Sequence, residues 1–130
     1  MMGVMEPFPL RFADVDVCDL TTTGRRSGKP HTVEIWFTVS GTTLYLIAGL
    51  GERCDWLRNI DADPRASVVI AGEHWRGQAR RVTDPAERRR VGEIVDAKYP
   101  DYEGESDIGL TRPIWLFDVP AVAIESWQAH

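Results

Sequence analysis

The sequence predicts a mainly β, α+β domain: a small antiparallel barrel with two or three helices packed outside it. Three observations carry this. Residues 31–40 alternate strictly, the period-2 signature of a half-buried strand. The other segments rich in β-branched and aromatic residues are joined by hairpin-length links, and parallel crossovers need about a dozen residues or more. Helical spacing of apolar residues appears in only two places, so helices flank the sheet instead of alternating with every strand.

In chain order, a short Thr-rich strand runs into the turn Gly24-Arg25-Arg26-Ser27-Gly28-Lys29-Pro30. Over residues 31–40, His31, Val33, Ile35, Phe37 and Val39 point one way, and Thr32, Glu34, Trp36, Thr38 and Ser40 the other. Ser40-Gly41-Thr42 is a tight turn, and residues 43–48 return as a strand ended by Gly49-Leu50-Gly51. Residues 53–62 have helical spacing, with Trp56, Leu57 and Ile60 on one stripe, until Asp63-Pro64 stops it. Residues 65–71 and 74–82 form a hairpin about Gly72-Glu73. Asp84-Pro85-Ala86-Glu87 is a helix start: Asp84 can cap, Pro85 suits the first helical position, and Glu87 stands where a capping box needs it. Val91, Ile94, Val95 and Tyr99 make that helix's stripe, and Pro100 limits it. Residues 101–107 are a Gly-containing acidic loop. Residues 113–119 and 121–127 read as final strands separated by Pro120. One domain over residues 1–130 is expected, with 1–16 an N-terminal segment free to move.

Composition narrows the function. A hydrophobic fraction of 43% with 27% charged residues describes a soluble globular chain. A net charge of -5 argues against a nucleic-acid binder, which would show a basic stripe. No run approaches the ~18 apolar residues of a membrane span, and the chain is read as cytoplasmic. Cys18 and Cys54 follow no metal or redox spacing, so reduced thiols are expected. His31, His74 and His130 share no metal-ligand spacing either, and no metal site is assigned.

Against that acidic background the turn at residues 24–30 is a local cationic knot. Its glycines let backbone N–H groups point outward beside fixed positive charge, as an anionic ligand requires. It is not a nucleotide P-loop: only three residues separate Gly24 from Gly28, and Pro30 follows Lys29 where Ser or Thr would hold magnesium. Any phosphate here is held by a strand–turn–strand nest and by guanidinium groups, whose planar fork grips phosphate oxygens. The competing role is a solvated hairpin tip. Glycines at 49 and 51 let backbone approach a flat ligand. Trp56 reads more readily as core, and Asn59 either donates to a ring carbonyl or ends its helix. Tyr99 and Tyr102 flank the acidic loop, where a phenol can orient a substrate or deliver a proton; packing is the ordinary role. Arg88-Arg89-Arg90 reads as a solvated helix face. Cys54 lies near a helix start beside Arg53, which can lower a thiol pKa, but it reads as structural.

Residues 20–37, then 44–51, then Asp55-Trp56-Leu57-Arg58-Asn59-Ile60 through Asp63-Pro64-Arg65, resemble the deazaflavin (coenzyme F420)-dependent nitroreductase family. That family belongs to the flavin/deazaflavin split barrels, alongside the pyridoxamine phosphate oxidases. The resemblance implies an antiparallel split β-barrel (FMN-binding split barrel). It implies hydride transfer from reduced F420 to a small-molecule electron acceptor: a quinone, an activated alkene or a nitroaromatic. The alternatives are an FMN-binding oxidoreductase of the same fold, or a non-catalytic flavin- or tetrapyrrole-binding protein. By the same resemblance Arg25, Arg26 and Lys29 bind the cofactor's phosphate and acidic tail, with Ser27, Gly28 and His31 shaping that end. Val33, Glu34 and Ile35 lie along the ring system. Ala48 and Gly49 border it, Trp56 and Asn59 complete the pocket, and Arg53 stands in for a lysine the family often carries where Leu50 is. Tyr102 and Tyr99 would position or protonate the acceptor. Glu34, where the family often has proline, would disfavour a second anion at the ring. Related barrels often form homodimers.

Overall fold

The computed structural model describes residues 7–129. Its frame is a seven-stranded antiparallel sheet built from β1 (Val17–Thr23), β2 (Pro30–Trp36), β3 (Thr38–Ser40), β4 (Thr43–Ile47), β5 (Arg65–Ile70), β6 (Glu73–Arg81) and a late strand, β9 (Ala121–Ala129). The spatial order is β2-β1-β5-β6-β9-β4-β3. Its two edge strands are consecutive in the chain, separated by Phe37 alone. The sheet therefore curls into a half-barrel whose ends are joined covalently at Phe37, while β2 ladders with β1 and β3 with β4. A seam runs between them.

Alternation explains the packing. On β1, Cys18, Leu20 and Thr22 are buried, and their neighbours face outward. Opposed residues Leu44 and Ile124, and Leu46 and Val122, feed the barrel interior with Leu57, Ile60, Val68 and Ile70. The intervening Tyr45, Ala121 and Ala123 face a second core, shared with Val91, Val95, Trp115 and Leu116. Both faces of β4 and β9 are thus covered. The helix α1 (Asp55–Ala62) seals the barrel with Trp56, Leu57 and Ile60, and a 3-10 turn, Gly51–Arg53, precedes it. The second helix, α2 (Pro85–Lys98), begins as its sequence predicts, with the Glu87 N–H donating to Asp84 Oδ2 at 3.1 Å. Gly92 lets it lie against the third helix: a Cβ there would stand 2.3 Å from the Phe117 ring and 2.5 Å from the Leu116 carbonyl.

Several expectations are corrected. Residues 113–119 are not a strand: α3 (Arg112–Phe117) occupies them, with the Thr111 hydroxyl accepting from the Ile114 N–H and Pro113 in the first turn. An all-apolar Ile-Trp-Leu-Phe run has no readable period, and the cap decides it. Residues 31–40 are two strands broken at Phe37. Most of β2 is exposed rather than half-buried, because it forms the sheet edge at the seam. The acidic loop contains a small ribbon, β7 (Gly104–Glu105) paired with β8 (Leu110–Thr111). Arg88 is no solvated face residue. Its guanidinium donates to the carbonyls of Leu116 and Val119 at 2.6 to 3.1 Å, capping α3.

Part of the N-terminal segment packs on the barrel: Phe8 is buried and stacks on Trp75, with centroids 4.8 Å apart. Residues 1–6 of that segment, and His130, lie outside the described residues. Both cysteines are free and buried, and burial pushes Cys18 up to about 12 and Cys54 upward too, so neither is a ready nucleophile. Among the described residues, no helix is long and apolar enough to cross a membrane.

Candidate active site

The turn between β1 and β2 is fastened by its own hydrogen bonds. Gly28 has φ 70°, a conformation that favours glycine. Its N–H donates to the Gly24 carbonyl at 2.8 Å, the Gly24 N–H donates to the Lys29 carbonyl at 2.8 Å, and the Lys29 N–H to Ser27 Oγ at 3.1 Å. The Arg26 and Ser27 amides have no acceptor among the described residues. At Gly24 a Cβ would stand 2.6 Å from Ser27 Oγ and 2.7 Å from the His31 ring, so a side chain there would have to displace both.

The two arginines divide the work. The Arg25 N–H and Nη1 both donate to Asn59 Oδ1, at 3.1 and 2.9 Å, and its Nη2 donates to Asp55 Oδ1 at 3.2 Å. Asn59 is 2% exposed and donates from Nδ2 to Thr22 Oγ1 at 3.2 Å. Arg25 therefore fastens the turn to α1 and carries a charge already met by Asp55. Arg26, Lys29 and His31 are exposed. A cavity of about 270 Å³ lies against Gly24 to Ser27, His31, Asp55 and Asn59.

At the other end of β2 a second cavity, about 310 Å³, opens along the seam. Glu34 to Thr38 form one wall, and Tyr45, Ile47, Tyr102 and Trp115 form much of the rest. Its surroundings are aromatic. Trp36 stacks on Tyr99 with centroids 4.5 Å apart, and Tyr102 meets Trp115 at 4.5 Å. Tyr45 donates to Glu87 Oε2 at 2.7 Å, and burial with that carboxylate pushes the phenol up to about 12. Thr38, 1% exposed, has a hydroxyl without any hydrogen-bond partner.

The two sequence-predicted tyrosines differ. Tyr99 Oη accepts from the Phe37 N–H at 3.2 Å and lies 2.8 and 2.7 Å from the Phe37 and Asp16 carbonyls, so main chain occupies it. Burial holds its pKa above the usual phenol range. Its place is to fix the seam and support Trp36. Tyr102 lies on the cavity wall, with Oη 3.3 Å from Glu105 Oε1, and burial and that carboxylate raise its pKa. Arg112, which the sequence did not single out, holds both: its Nη1 donates to the Tyr99 and Tyr102 carbonyls at 2.9 and 2.6 Å, and its Nη2 to Asp96 Oδ1 at 2.5 Å. The helix cap at Thr111 was the one local signal in its neighbourhood.

The other sequence-predicted residues are dispersed. Val33 is 39% exposed on the edge strand. Glu34 and Ile35 line the seam cavity. Ala48 is fully buried, and Gly49 packs beside Leu110 and Trp115. Trp56 belongs to the barrel core. Asn59 accepts from Arg25 at Oδ1 and gives one Nδ2 hydrogen to Thr22, which leaves its second amide hydrogen uncommitted. Arg53 ends the 3-10 turn, exposed and outside both cavities.

Lys98 closes the base of the seam. Its Nζ donates to the Val15 and Phe37 carbonyls at 2.6 and 2.7 Å and lies 4.0 Å from the Phe37 ring centroid. Burial pushes the ammonium from its ordinary 10.5 down to about 8. Between those values the unfolded chain keeps a proton that the folded chain has released, so this group makes stability rise with pH there. Cys18, pushed up to about 12, acts oppositely. A comparison with Lys98→Met isolates the lysine: from pH 8 to pH 10 wild type is expected to gain roughly 1–2 kcal/mol on the variant. Denaturant titrations at each pH check this; parallel curves would show an ordinary lysine.

A scan of protein families matches residues 6–117 to one described as F420H(2)-dependent quinone reductase. Among solved structures, an F420-H2 dependent reductase (FDR-A) is similar with a TM-score of 0.66 and 22% identity, covering 85% of this chain and 95% of that one. A structure described as a domain-swapped dimer gives a TM-score of 0.66 at 23% identity, over 86% and 81% of the two chains. A Listeria innocua chain provisionally described as a pyridoxamine 5'-phosphate oxidase gives 0.60 at 19%, over 88% and 87%. At such identities the likeness shows a shared split-barrel fold.

Proposed function

The chain belongs to the F420H2-dependent quinone reductase family, and on that premise we propose that it passes a hydride from reduced coenzyme F420 to an electrophilic small molecule such as a quinone, an activated alkene or a nitroaromatic. One observation carries the reading: a single exposed strand, β2, joins an anion cradle to an aromatic cavity. His31 at the cradle and Glu34 at the cavity are three residues apart, roughly 10 Å of strand. A five-carbon polyol between a ring and a phosphate has a length of that order.

The residues fit the coenzyme. The unpaired Arg26 and Ser27 amides, with the Arg26, Lys29 and His31 side chains, suit its phosphate; the aromatic seam suits its ring and the acceptor beside it. When bound, the deazaflavin supplies the hydride from C5, and the protein holds, orients and shields. Trp36, braced by Tyr99, and Trp115 give flat walls that exclude water. The Tyr102 hydroxyl, protonated at neutral pH, hydrogen-bonds the negative charge that develops on the acceptor or gives it a proton. A second copy of the chain is the assembly this reading allows, since one structural neighbour is a domain-swapped dimer.

The deciding experiment titrates the purified protein with oxidised F420 and, separately, with FMN, and then follows F420H2 absorbance with 2-methyl-1,4-naphthoquinone added. Saturable F420 binding with quinone-dependent oxidation is expected. Binding of FMN alone would move the chain to the flavin reading; binding of neither would end both.

A further inference from the structure

Thr38 stands out because its hydroxyl is wasted in the empty protein. A buried hydroxyl without a partner is destabilising, and valine would fill the same volume without that cost. Thr38 is 1% exposed, and its Oγ1 is the one such orphan among the buried side-chain polar atoms of the described residues. It sits on the wall of the seam cavity opposite Tyr45 in the β3–β4 ladder, where Tyr45's own hydroxyl is already given to Glu87. Its other neighbours on that wall, Trp36, Phe37 and Ile47, offer aromatic and aliphatic surface. An oxygen atom of a flat molecule entering between them is the partner this hydroxyl lacks.

We propose that Thr38 anchors the acceptor by donating a hydrogen bond from Oγ1 to a carbonyl or nitro oxygen, and that Glu34, on the same wall, restricts the acceptor to molecules without a negative charge. The proposal rests on the reductase reading for the word acceptor, but the binding it describes is a property of the cavity itself. Thr38 is a specificity-determining residue: it holds an oxygen in place while Tyr102 faces the same cavity. Glu34 lines the cavity and makes no salt bridge among the described residues, so its charge, though screened by the water around an exposed side chain, is not cancelled for a molecule that enters. Oγ1 is shielded from water in the empty cavity, so the proposal requires a side-chain shift to bring the ligand oxygen to it.

The test uses the coenzyme-free protein. Trp36 and Trp115 line the cavity, so quenching of tryptophan fluorescence reports binding of 2-methyl-1,4-naphthoquinone, of 2-methylnaphthalene as the oxygen-free shape control, and of 1,4-naphthoquinone-2-sulfonate as the anion. Thr38→Val is expected to weaken quinone binding about five- to tenfold, the worth of one neutral hydrogen bond, and to leave the hydrocarbon unchanged. Thr38→Ser should keep the affinity. The same valine should raise the Tm of the empty protein by about 3 °C, because it removes an unsatisfied polar atom. Glu34→Gln should tighten the sulfonate about fivefold without affecting the neutral quinone.

Unchanged quinone affinity in Thr38→Val would overturn the anchor, and so would a fall in Tm, which would mean that the hydroxyl is satisfied within the protein. An unchanged sulfonate affinity in Glu34→Gln would overturn the charge selection. F420 affinity, measured in parallel, separates the failures: its loss in Thr38→Val with quinone binding intact would give the hydroxyl to the coenzyme. Absence of F420 binding in wild type would end the reductase reading and leave the cavity chemistry standing.

Discussion

Arg26→Ala is expected to weaken F420 binding about 30- to 100-fold while leaving the thermal midpoint within a degree or so of wild type. The guanidinium is exposed and makes no hydrogen bond or ion pair among the described residues, so its loss should cost the fold little. In the complex it would meet a phosphate in paired, charge-assisted hydrogen bonds beside two outward amides, and such bonds are worth roughly 1.5–3 kcal/mol. The contrast with its neighbour sharpens the test. Arg25→Ala removes two side-chain hydrogen bonds to α1 and keeps the one from the main-chain N–H. It should therefore lower stability and affinity together. Wild-type affinity should also fall with salt more steeply than that of Arg26→Ala. If Arg26→Ala binds the coenzyme as wild type does, the phosphate does not lie in this turn.

The second large effect is expected at Arg112. One planar side chain reaches the main-chain carbonyls of Tyr99 and Tyr102, the Asp96 carboxylate and, at 3.3 Å, the Asp96 carbonyl. Arg112→Leu keeps the aliphatic packing near Trp115 but leaves those oxygens without their donor, at a cost of roughly 2–3 kcal/mol. Lysine should not rescue it, because an ammonium cannot fork across separate acceptors. Turnover should suffer beyond stability: a displaced Tyr102 is expected to lower kcat/KM for the quinone by about tenfold or more at temperatures where the variant is folded. F420 affinity should fall less than turnover, since the phosphate end of the proposed site lies at the other end of β2. Denaturation curves and steady-state kinetics on one preparation measure both. A stable variant with normal kinetics would make Arg112 a bystander.

How far the sequence reaches depends on how local the cause is. The strand–turn–strand at residues 24–30 is legible because its glycines and serine are contiguous and Pro30 excludes a following helix. The division between Arg25 and Arg26 was not, since it depends on Asn59, 34 positions away. The helix cap at Asp84 was legible from four residues. The α3 helix was misread as a strand because its apolar run is buried without period, although Thr111 and Pro113 marked a start. The alternation of residues 31–40 was real, but its phase breaks at Phe37. Thr38, on the same side of the alternation as Thr32, Glu34 and Trp36, is almost wholly buried while those three are exposed. No local pattern says that a sheet will curl until its two ends meet within one segment of chain.

That meeting at Phe37 has a kinetic consequence. In a barrel closed by a continuous ladder, admitting a flat molecule to the interior would mean rupturing main-chain hydrogen bonds in series. Here β2 and β3 share no ladder, and the aromatic cavity lies along the line where they part. The groups that would have to move are rings: Trp36, which stacks on Tyr99, and Tyr102, which meets Trp115. Side-chain rotations of this kind run many orders of magnitude faster than the opening of a sheet. The entry rate of an acceptor should therefore respond to the bulk of residue 36 and scarcely to the stability of the fold.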